Sequence, residues 1–174
     1  MVEIDIDRCR MTHYPAEVLG RKAEPVTEIN DNLKQLIEKM YVLMYENRGV
    51  GFAAPQAGVG LRLFIISLDG SREGVRVYIN PTVTPYGPLE TLEEGCLSVP
   101  RISAKIRRYK NAKVTATGLD GKEFSEEGEG LFARALQHEY DHLEGMTIVN
   151  RLGATAKIAN RRQLKKLQDN ASDV

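Results

Sequence analysis

The chain has 174 residues, of which 42% are hydrophobic and 28% charged, and its 24 basic and 24 acidic side chains balance. This composition predicts one compact domain over residues 1–174. Balanced charge argues against DNA binding by the chain as a whole. No apolar run approaches the about 20 residues of a membrane helix. Because the N-terminus is acidic where a leader would be basic, we expect a cytoplasmic protein that contacts no membrane.

The two cysteines, Cys9 and Cys96, are too few for a disulfide framework. A reducing compartment would keep both as thiols, so each needs its own explanation. Neither Cys9 nor His13 lies in a ligand motif, and we interpret both as packing or surface residues.

The chain begins with a predicted irregular arm from Val2 to Val26, which Pro15 and Pro25 keep from forming a long element. Capping residues and apolar residues at helical intervals then predict a helix from Asn30 to about Asn47. Gly49 is the expected stop.

A run of small residues at 49–60 follows this helix. Gly49, Gly51 and Ala54 satisfy G-x-G-x-x-A, but that fingerprint belongs between a strand and a helix, and here a helix precedes it. Nucleotide binding is therefore disfavoured. Gln56 is the only side chain in the run with hydrogen-bonding atoms at its tip, which suits one oriented amide donor in a close-fitting site.

The middle of the chain is rich in short β-type runs separated by turn residues. Strands are predicted at 61–68, 75–79, 102–107, 112–117 and 122–125. Turns are predicted at 80–81 and 85–88, with a hairpin at 119–122. Because no strand–helix–strand alternation appears, we predict an α+β fold of mixed, mainly antiparallel β-sheets around a central helix, flanked by an N-terminal and a C-terminal helix.

The central helix carries the pattern H-E-x-x-H as His138, Glu139 and His142. This spacing puts both imidazoles on one helix face, able to hold one metal ion, with the glutamate beside them as a general base. Leu131 and Ala135 fall in the same arc, so we expect that face to be buried. The alternative is two histidines that merely pack or form hydrogen bonds.

After Gly145, the expected helix stop, residues 146–149 are a candidate strand, and a C-terminal helix is predicted over residues 154–170. We expect Ile158, Leu164 and Leu167 to pack on the domain. The helix also carries a run of basic residues, Lys157, Arg161, Arg162, Lys165 and Lys166. A solvated helix face is the favoured interpretation of this run.

A catalytic site of this type needs three protein ligands and one open position. In the longer H-E-x-x-H-x-x-G-x-x-H pattern the third histidine would stand at position 148, which is Ile148, so that protease class is excluded. Beyond Glu144 the only acids are Asp169 and Asp173, in the tail. The third ligand must lie upstream, and Cys96 is the candidate because thiolate is a strong ligand. The alternative interpretation of Cys96, as of any isolated cysteine, is a small buried hydrophobic residue.

Three motifs together resemble the peptide deformylase family across almost the whole chain. They are Gly49-Val50-Gly51-Phe52-Ala53-Ala54-Pro55-Gln56, Glu94-Gly95-Cys96-Leu97-Ser98 and Gln137-His138-Glu139-Tyr140-Asp141-His142-Leu143. The resemblance implies removal of the formyl group from the N-terminal formylmethionine of newly synthesised polypeptides, with release of formate. It also implies one divalent metal ion per chain, Fe(II) in the usual native enzyme, with Zn, Ni or Co able to occupy the same site.

The resemblance further assigns roles to residues. Cys96, His138 and His142 become the expected ligands, and Glu139 the base that takes a proton from the attacking water. The Gln56 amide and the Leu97 N–H would stabilise negative charge on the formyl oxygen. Glu94, Gln137 and Asp141 are expected to orient loops and ligands, although ordinary surface salt bridging is an equal alternative for Asp141.

Substrate contacts are expected at motif positions and on the histidine arc of the helix. The predicted methionine pocket comprises Val50, Leu92, Leu131 and Ala135. Gly51 and Gly95 would expose backbone groups that pair with the peptide as an added strand. Phe52 and Arg101 depart from the family, where many relatives carry an aliphatic residue and a glycine, which bears on pocket shape rather than on chemistry.

Two other functions remain as alternatives, a metallopeptidase of another class and a non-catalytic metal-binding protein. The absence of a downstream ligand counts against the first, and the presence of Glu139 counts against the second. The expected partners are formylated nascent chains. The family resemblance also suggests docking of the basic C-terminal helix to ribosomal RNA.

Overall fold

A computed structural model of the chain describes residues 4–172. Met1, Val2 and Glu3 of the predicted arm, and Asp173 and Val174, lie outside the described residues. The elements in order are α1 (Asp31–Glu46), β1 (Gly51–Ala53), β2 (Leu63–Ile66), β3 (Arg76–Gly95), β4 (Ser103–Thr117), β5 (Glu123–Glu129), α2 (Gly130–Leu143), α3 (Ile148–Arg151), α4 (Ala154–Ala159) and α5 (Arg161–Ser172). The α+β prediction is confirmed.

The five strands form one antiparallel sheet in the order β1-β2-β3-β4-β5, with each strand paired to its sequence neighbour. Strand β2 is buried along its whole length because both faces are covered. Leu63 and Ile65 pack with α1, whereas Phe64 and Ile66 pack with α2. The side chains of β2 therefore point alternately into two separate hydrophobic clusters, and the two long helices lie on opposite faces of the sheet.

Helix α1 follows its sequence pattern closely. The Asn30 side chain caps it by accepting a hydrogen bond from the Leu33 N–H, and its apolar stripe is buried against β1 and β2. The predicted stop is shifted by one residue. Arg48, rather than Gly49, takes the left-handed conformation after the helix, with φ of 56°.

Helix α2 differs from the expected amphipathic helix in two ways. Leu131, on the arc that was expected to be buried, is 56% exposed because it lies in the first turn of the helix, whereas the polar side of the helix is buried. Arg134, Gln137 and Asp141 are all buried. Gln137 holds the helix to β4 through two hydrogen bonds, since its amide accepts from the Tyr109 N–H and donates to the Tyr109 carbonyl. The polar side of α2 is thus part of the interior, and its charges must be neutralised there.

The strand predicted at 61–68 was too long, since β2 spans Leu63–Ile66, whereas the later predicted strands were too short and two predicted turns were wrong. Residues 80–81 and 85–88 lie inside the 20-residue strand β3, whose register shifts between Ile79 and Thr82 and between Tyr86 and Leu89. Proline lacks the N–H that a ladder requires, and a bulge lets the strand continue past it. The runs at 102–107 and 112–117 likewise belong to one strand, β4. The hairpin at 119–122 is confirmed by the hydrogen bond from the Gly118 N–H to the Lys122 carbonyl.

The C-terminal segment corrects two further predictions. Residues 148–151 form the short helix α3 rather than a strand, because Thr147 caps the Val149 N–H. The predicted helix over 154–170 is divided into α4 and α5. Ile158 is 75% exposed instead of packed, whereas Leu164 and Leu167 join a third cluster that contains Cys96 and Val99.

The N-terminal arm wraps over the domain as predicted and contains two short 3-10 helices. Its backbone N–H groups donate to three separate segments: Thr12 to Gln56, Tyr14 to Ser98, and Ala23 to Leu143. Of the helices within residues 4–172, none is long and apolar enough to cross a lipid bilayer.

Gly145 provides a test of how α2 is joined to the arm. It has φ of 71°, and an added Cβ would lie 2.8 Å from the Arg21 backbone carbon. Gly121 has a similar φ of 77° with open space around it. We expect Gly121→Ala to lower the free energy of unfolding by about 1 kcal/mol. Gly145→Ala should lower the free energy of unfolding by about 1–3 kcal/mol more than Gly121→Ala does, because the N-terminal arm must move to admit the added Cβ. Chemical denaturation measures the free energy of unfolding of both variants. Equal losses in the two would contradict the predicted clash between residue 145 and the arm.

Candidate functional site

Three potential metal ligands converge where the end of β3 meets α2. Cys96 directly follows β3, and His138 and His142 lie one turn apart on the helix. Their donor atoms all lie within 4.8 Å of one another, and the Cys96 Sγ is 3.4 Å from the His142 Nε2. Ligands of one tetrahedral ion, bound at about 2.0–2.3 Å, stand about 3.5 Å apart. One thiolate and two imidazoles therefore fit a single ion with one position left open.

Glu139 lies beside these donors in a dry environment. It is buried, and its Oε2 atom has no hydrogen-bond partner among the described residues. Burial raises the pKa of Glu139 to about 7. A Cβ on Gly51 would collide with the Glu139 carboxylate. The absence of a side chain at Gly51 therefore leaves room for this carboxylate. A carboxylate with this pKa can exchange a proton near neutral pH.

The two histidines have opposite electrostatic surroundings. Burial lowers the pKa of His142, and the neighbouring His138 lowers it further. Burial alone would lower the pKa of His138 too, but the Cys96 thiol and the Glu94 carboxylate raise it well above the usual value. The His142 Nδ1 has no partner among the described residues, whereas the His138 Nδ1 lies 2.7 Å from the Glu94 Oε1. Glu94 thus fixes the ring of His138 and leaves Nε2 directed at the site.

Glu94 is the centre of a buried charge network. Arg108 approaches it with Nη2 at 2.7 Å and Nε at 2.9 Å, and the Arg134 Nη1 lies 2.9 Å away. Burial would raise the pKa of Glu94, but the hydrogen bonds from Arg108 and His138 outweigh it and hold the pKa well below its usual value. The carboxylate is therefore ionised, and strands β3 and β4 are joined to α2 through it.

The network continues from Arg108 to the C-terminal segment. The Arg108 Nη1 donates to the Asp141 Oδ2 at 2.9 Å, and Arg151 of α3 binds the same carboxylate at 2.5 Å. Asp141 is buried. Its burial supports a role in orienting its neighbours over ordinary surface salt bridging. The face of α2 that carries His138 and His142 is thereby supported from behind by paired charges.

Gln56 and Leu97 present hydrogen-bond donors beside Cys96. The Gln56 Oε1 accepts from the Ala53 N–H at 2.9 Å, which orients the amide so that Nε2 faces the Ser98 hydroxyl at 3.2 Å and the Cys96 sulfur at 3.8 Å. The Leu97 N–H makes no hydrogen bond to any described residue. Both groups can therefore donate to a ligand oxygen near the cysteine.

A cavity of about 780 Å³ opens over Cys96, His138 and Glu139. Its lining includes the predicted substrate contacts Val50, Gly51, Gly95, Leu131 and Ala135. Leu92, in contrast, lies on β3 outside this lining and is 45% exposed. His142 lies beneath the cavity as a buried donor.

Comparison with known proteins now identifies the family. The model of the polypeptide deformylase family matches residues 9–157. The chain belongs to this family. It is 44% identical over 135 residues to peptide deformylase 1 of Clostridium perfringens, covering 77% of this chain and 90% of that protein. It is 42% identical over 158 residues to the peptide deformylase of Acidobacterium capsulatum, covering 89% and 92%.

Solved deformylase structures share the fold. A crystal structure of peptide deformylase from Plasmodium falciparum superimposes with a TM-score of 0.91 at 30% sequence identity, covering 95% of this chain and 98% of that one. The family resemblance predicted from the three motifs is confirmed.

Several residues of this deformylase site were missed by the sequence analysis. His13, Arg48 and Arg134 line the cavity, and Arg108 holds Glu94. None lies in a motif at recognisable spacing. The only available signal was the alternation of β4, in which Arg108 occupies an inward position between Ile106 and the buried Ala112.

The charge network predicts a pH-dependent contribution to stability. In metal-free protein, Glu94→Gln should lower the free energy of unfolding by about 3–5 kcal/mol at pH 7, because Arg134 loses the carboxylate it pairs with and Arg108 keeps only that of Asp141. The folded pKa of Glu94 lies below the unfolded value of about 4.3, so its contribution is present above that pH and is lost as the pH falls through the folded pKa.

The measurement is urea unfolding of both proteins between pH 3 and pH 7. The control is Glu93→Gln, since the adjacent Glu93 is exposed and, among the described residues, its carboxylate accepts a hydrogen bond only from the Ser103 hydroxyl. We expect the control to differ from the parent by less than about 0.5 kcal/mol. A Glu94→Gln protein as stable as the parent at pH 7 would contradict the network's role.

Proposed function

We propose that Cys96, His138 and His142 hold the catalytic metal ion of this chain and that Glu139 transfers the proton. Polypeptide deformylases are hydrolases that remove the formyl group from the N-terminus of newly synthesised polypeptides, and this is the activity of the chain. The observation that supports the assignment is the convergence of three donor atoms within 4.8 Å beside the buried carboxylate of Glu139.

Enzymes of this family depend on a metal, and we infer Fe(II) as the resident ion, with Zn, Ni or Co able to take its position. The support is the donor set, since imidazole and thiolate ligands suit these borderline metals better than Mg²⁺ or Ca²⁺. When bound, such an ion lowers the pKa of a water ligand and polarises a carbonyl. A set of three protein donors leaves room for this chemistry.

Glu139 acts as base and then as acid in this proposal. Its buried carboxylate, with a pKa of about 7, accepts a proton from the attacking water and delivers it to the departing amine. Gly51 keeps space for the carboxylate at the edge of the cavity. One residue can serve both steps because its pKa lies near the working pH.

Gln56 and Leu97 stabilise the charge that develops on the formyl oxygen. The Gln56 amide is held in place through its own oxygen by the Ala53 N–H, and the Leu97 N–H has no competing partner among the described residues. Preorganised donors of this kind strengthen their hydrogen bonds as the carbonyl becomes tetrahedral.

The methionine side chain is seated against Leu131, Ala135 and Val50, which line the cavity on the side of α2 and of the glycine-rich run. The backbones at Gly51 and Gly95 flank the same space and pair with the peptide as an added strand. Because substrates are newly made polypeptides, we infer a cytoplasmic enzyme that acts as one catalytic domain.

We also propose that the basic face of α5 docks on ribosomal RNA. Arg161, Arg162, Lys165 and Lys166 are exposed, whereas Leu164 and Leu167 face the domain. Exposed cations of this kind can approach RNA phosphates. Docking here would hold the enzyme near emerging chains.

The ligand assignment is tested by metal analysis of protein purified without oxygen. We expect about one iron per chain, with loss of activity on chelation and on exposure to air. Cys96→Ser should lower both metal content and activity. Cys9→Ser is the matched control, because Cys9 is also buried but, within residues 4–172, its thiol bonds only to the Asp5 carbonyl. Full metal content in Cys96→Ser would remove the cysteine from the site.

The function itself is tested by formate release from a formylmethionyl peptide beside its unformylated form. Glu139→Gln should retain the metal and lose about 100- to 10,000-fold in kcat, because only the proton acceptor is gone. Glu144→Gln, on the next turn with its carboxylate bound to Arg62, should stay near parental activity. Undiminished turnover in Glu139→Gln would refute the base assignment.

The docking proposal is tested by replacing with glutamine the exposed basic residues of α5, Arg161, Arg162, Lys165 and Lys166. Ribosome co-sedimentation at low salt should be lost, while activity on a free peptide persists because the apolar face of α5 is unchanged. The control replaces four exposed basic residues of β4, Lys105, Arg107, Lys110 and Lys113. No sedimentation by the parent protein at low salt, or equal loss in both variants, would contradict docking through α5.

A further inference from the structure

The mouth of the cavity contains two arginines whose backbones are left-handed and whose side chains bond to no described residue. Among the described residues, three non-glycine residues have a left-handed backbone: Arg48 with φ of 56°, Asn80 with φ of 49° and Arg101 with φ of 64°. Such a backbone is strained for a residue that carries a Cβ. Asn80 offsets this strain through side-chain bonds to the Val26 backbone, as acceptor at 2.8 Å and donor at 2.8 Å.

The backbone of Arg48 is that of a helix cap, because the Arg48 N–H donates to the Tyr45 carbonyl at 3.0 Å and the Gly49 N–H to the Met44 carbonyl at 2.9 Å. The side chains of Arg48 and Arg101, however, make no bonds of the kind that Asn80 makes. Both are exposed, and their guanidinium groups form no ion pair and no hydrogen bond with any described residue. Both side chains are among the lining residues of the cavity above Cys96 and Glu139. Glycine would serve either turn with less strain. Strained residues that gather at a ligand-binding cleft indicate a use for their side chains.

The two arginines lie on segments that touch. Arg48 precedes Gly49, where an added Cβ would meet the Leu97 Cδ1 at 2.7 Å. Leu97 begins the turn that leads to Arg101, and this turn is closed by the Val99 N–H donating to the Cys96 carbonyl at 2.9 Å. The arginines therefore stand on two adjoining rims of one opening.

The other charges in the lining do not cancel this pair. Glu94 is neutralised by Arg108 and Arg134 inside the protein, and Glu139 is buried. Glu93 is the remaining exposed acid among the lining residues, and its carboxylate accepts a hydrogen bond from Ser103. Two unpaired guanidinium groups thus face one carboxylate at the mouth, which leaves a net positive opening.

The volume of the cavity shows which part of a substrate reaches this opening. A cavity of about 780 Å³ falls in the range that holds a drug-sized molecule, which is larger than formylmethionine alone. With the formyl group at the ligand cluster and methionine against Leu131 and Ala135, the following residues must leave through the mouth. An extended chain advances about 3.3 Å per residue, so the third and fourth residues pass the rim.

We propose that Arg48 and Arg101 select nascent chains that carry an aspartate or glutamate at the third or fourth position. The proposal rests on the deformylase function and specifies the substrates that this site favours. A carboxylate at the mouth pairs with one or both guanidinium groups. The gain in binding free energy is that of an exposed ion pair, which is modest and is screened by salt.

The test uses two amidated peptide pairs, formyl-Met-Ala-Asp-Ser with formyl-Met-Ala-Asn-Ser, and formyl-Met-Ala-Ser-Asp with formyl-Met-Ala-Ser-Asn. At 20 mM salt we expect kcat/KM for the Asp peptide of at least one pair to exceed that of its Asn counterpart by about 3- to 5-fold. The ratio should approach 1 at 0.5 M salt. It should also approach 1 in the double variant Arg48→Gln, Arg101→Gln at low salt.

The matched control is Arg10→Gln, which removes the same charge from an exposed arginine that does not line the cavity. It should keep the parental preference. Equal kcat/KM for Asp and Asn in both pairs, or a preference that survives in the double variant, would overturn the proposal. Arg48→Gly and Arg101→Gly supply a second readout, since both should lose the preference without loss of stability.

Binding separates this proposal from the deformylase assignment. Calorimetric titration of Glu139→Gln protein with each peptide reports recognition without turnover. If the Asp peptides bind more tightly while the parent enzyme releases no formate from any peptide, recognition by the arginines stands and the assigned activity fails. Normal formate release with equal dissociation constants within each pair refutes the selection of acidic chains and leaves the activity intact.

Discussion

The site depends on one buried carboxylate, Glu94. It lies at the end of a long exposed strand and is held by Arg108 and Arg134 while it touches the His138 ring. An isolated ion in the interior would cost several kcal/mol, so the anion and its cations can exist there only together. Strand β3, strand β4 and helix α2 meet at this point, and the orientation of the His138 ring is determined by the same bonds that join them.

The sequence predicted the chemistry of the site better than the path of the backbone. His138, Glu139 and His142 were recognisable because helical spacing alone brings them together. Cys96 needed elimination and a family resemblance, since forty-two residues separate it from His138. Arg108 and Arg134 could not be found, because an arginine on a strand or helix is normally solvated, and only the packing of β4 on α2 makes these two interior.

The errors in the fold have a common physical origin. Pro81, Pro85 and Gly87 are turn residues by local preference, yet they lie in β3 because pairing with β4 outweighs that preference and bulges absorb the irregularity. Residues 146–149 have strand-like composition, but the Thr147 cap starts a helix. Long-range strand pairing and helix capping therefore determined the secondary structure of the segments in which local propensity was ambiguous.

The third hydrophobic cluster has a consequence for the order in which the enzyme matures. Cys96 shares this cluster with Leu167 of α5, a residue seventy-one positions later in the chain. During synthesis, β3, β4 and α2 emerge before α5, so the apolar surface behind the cysteine stays uncovered until Leu167 has been made and released. A protein that processes newly made chains thus completes the packing behind its own Cys96 thiol late in its biogenesis.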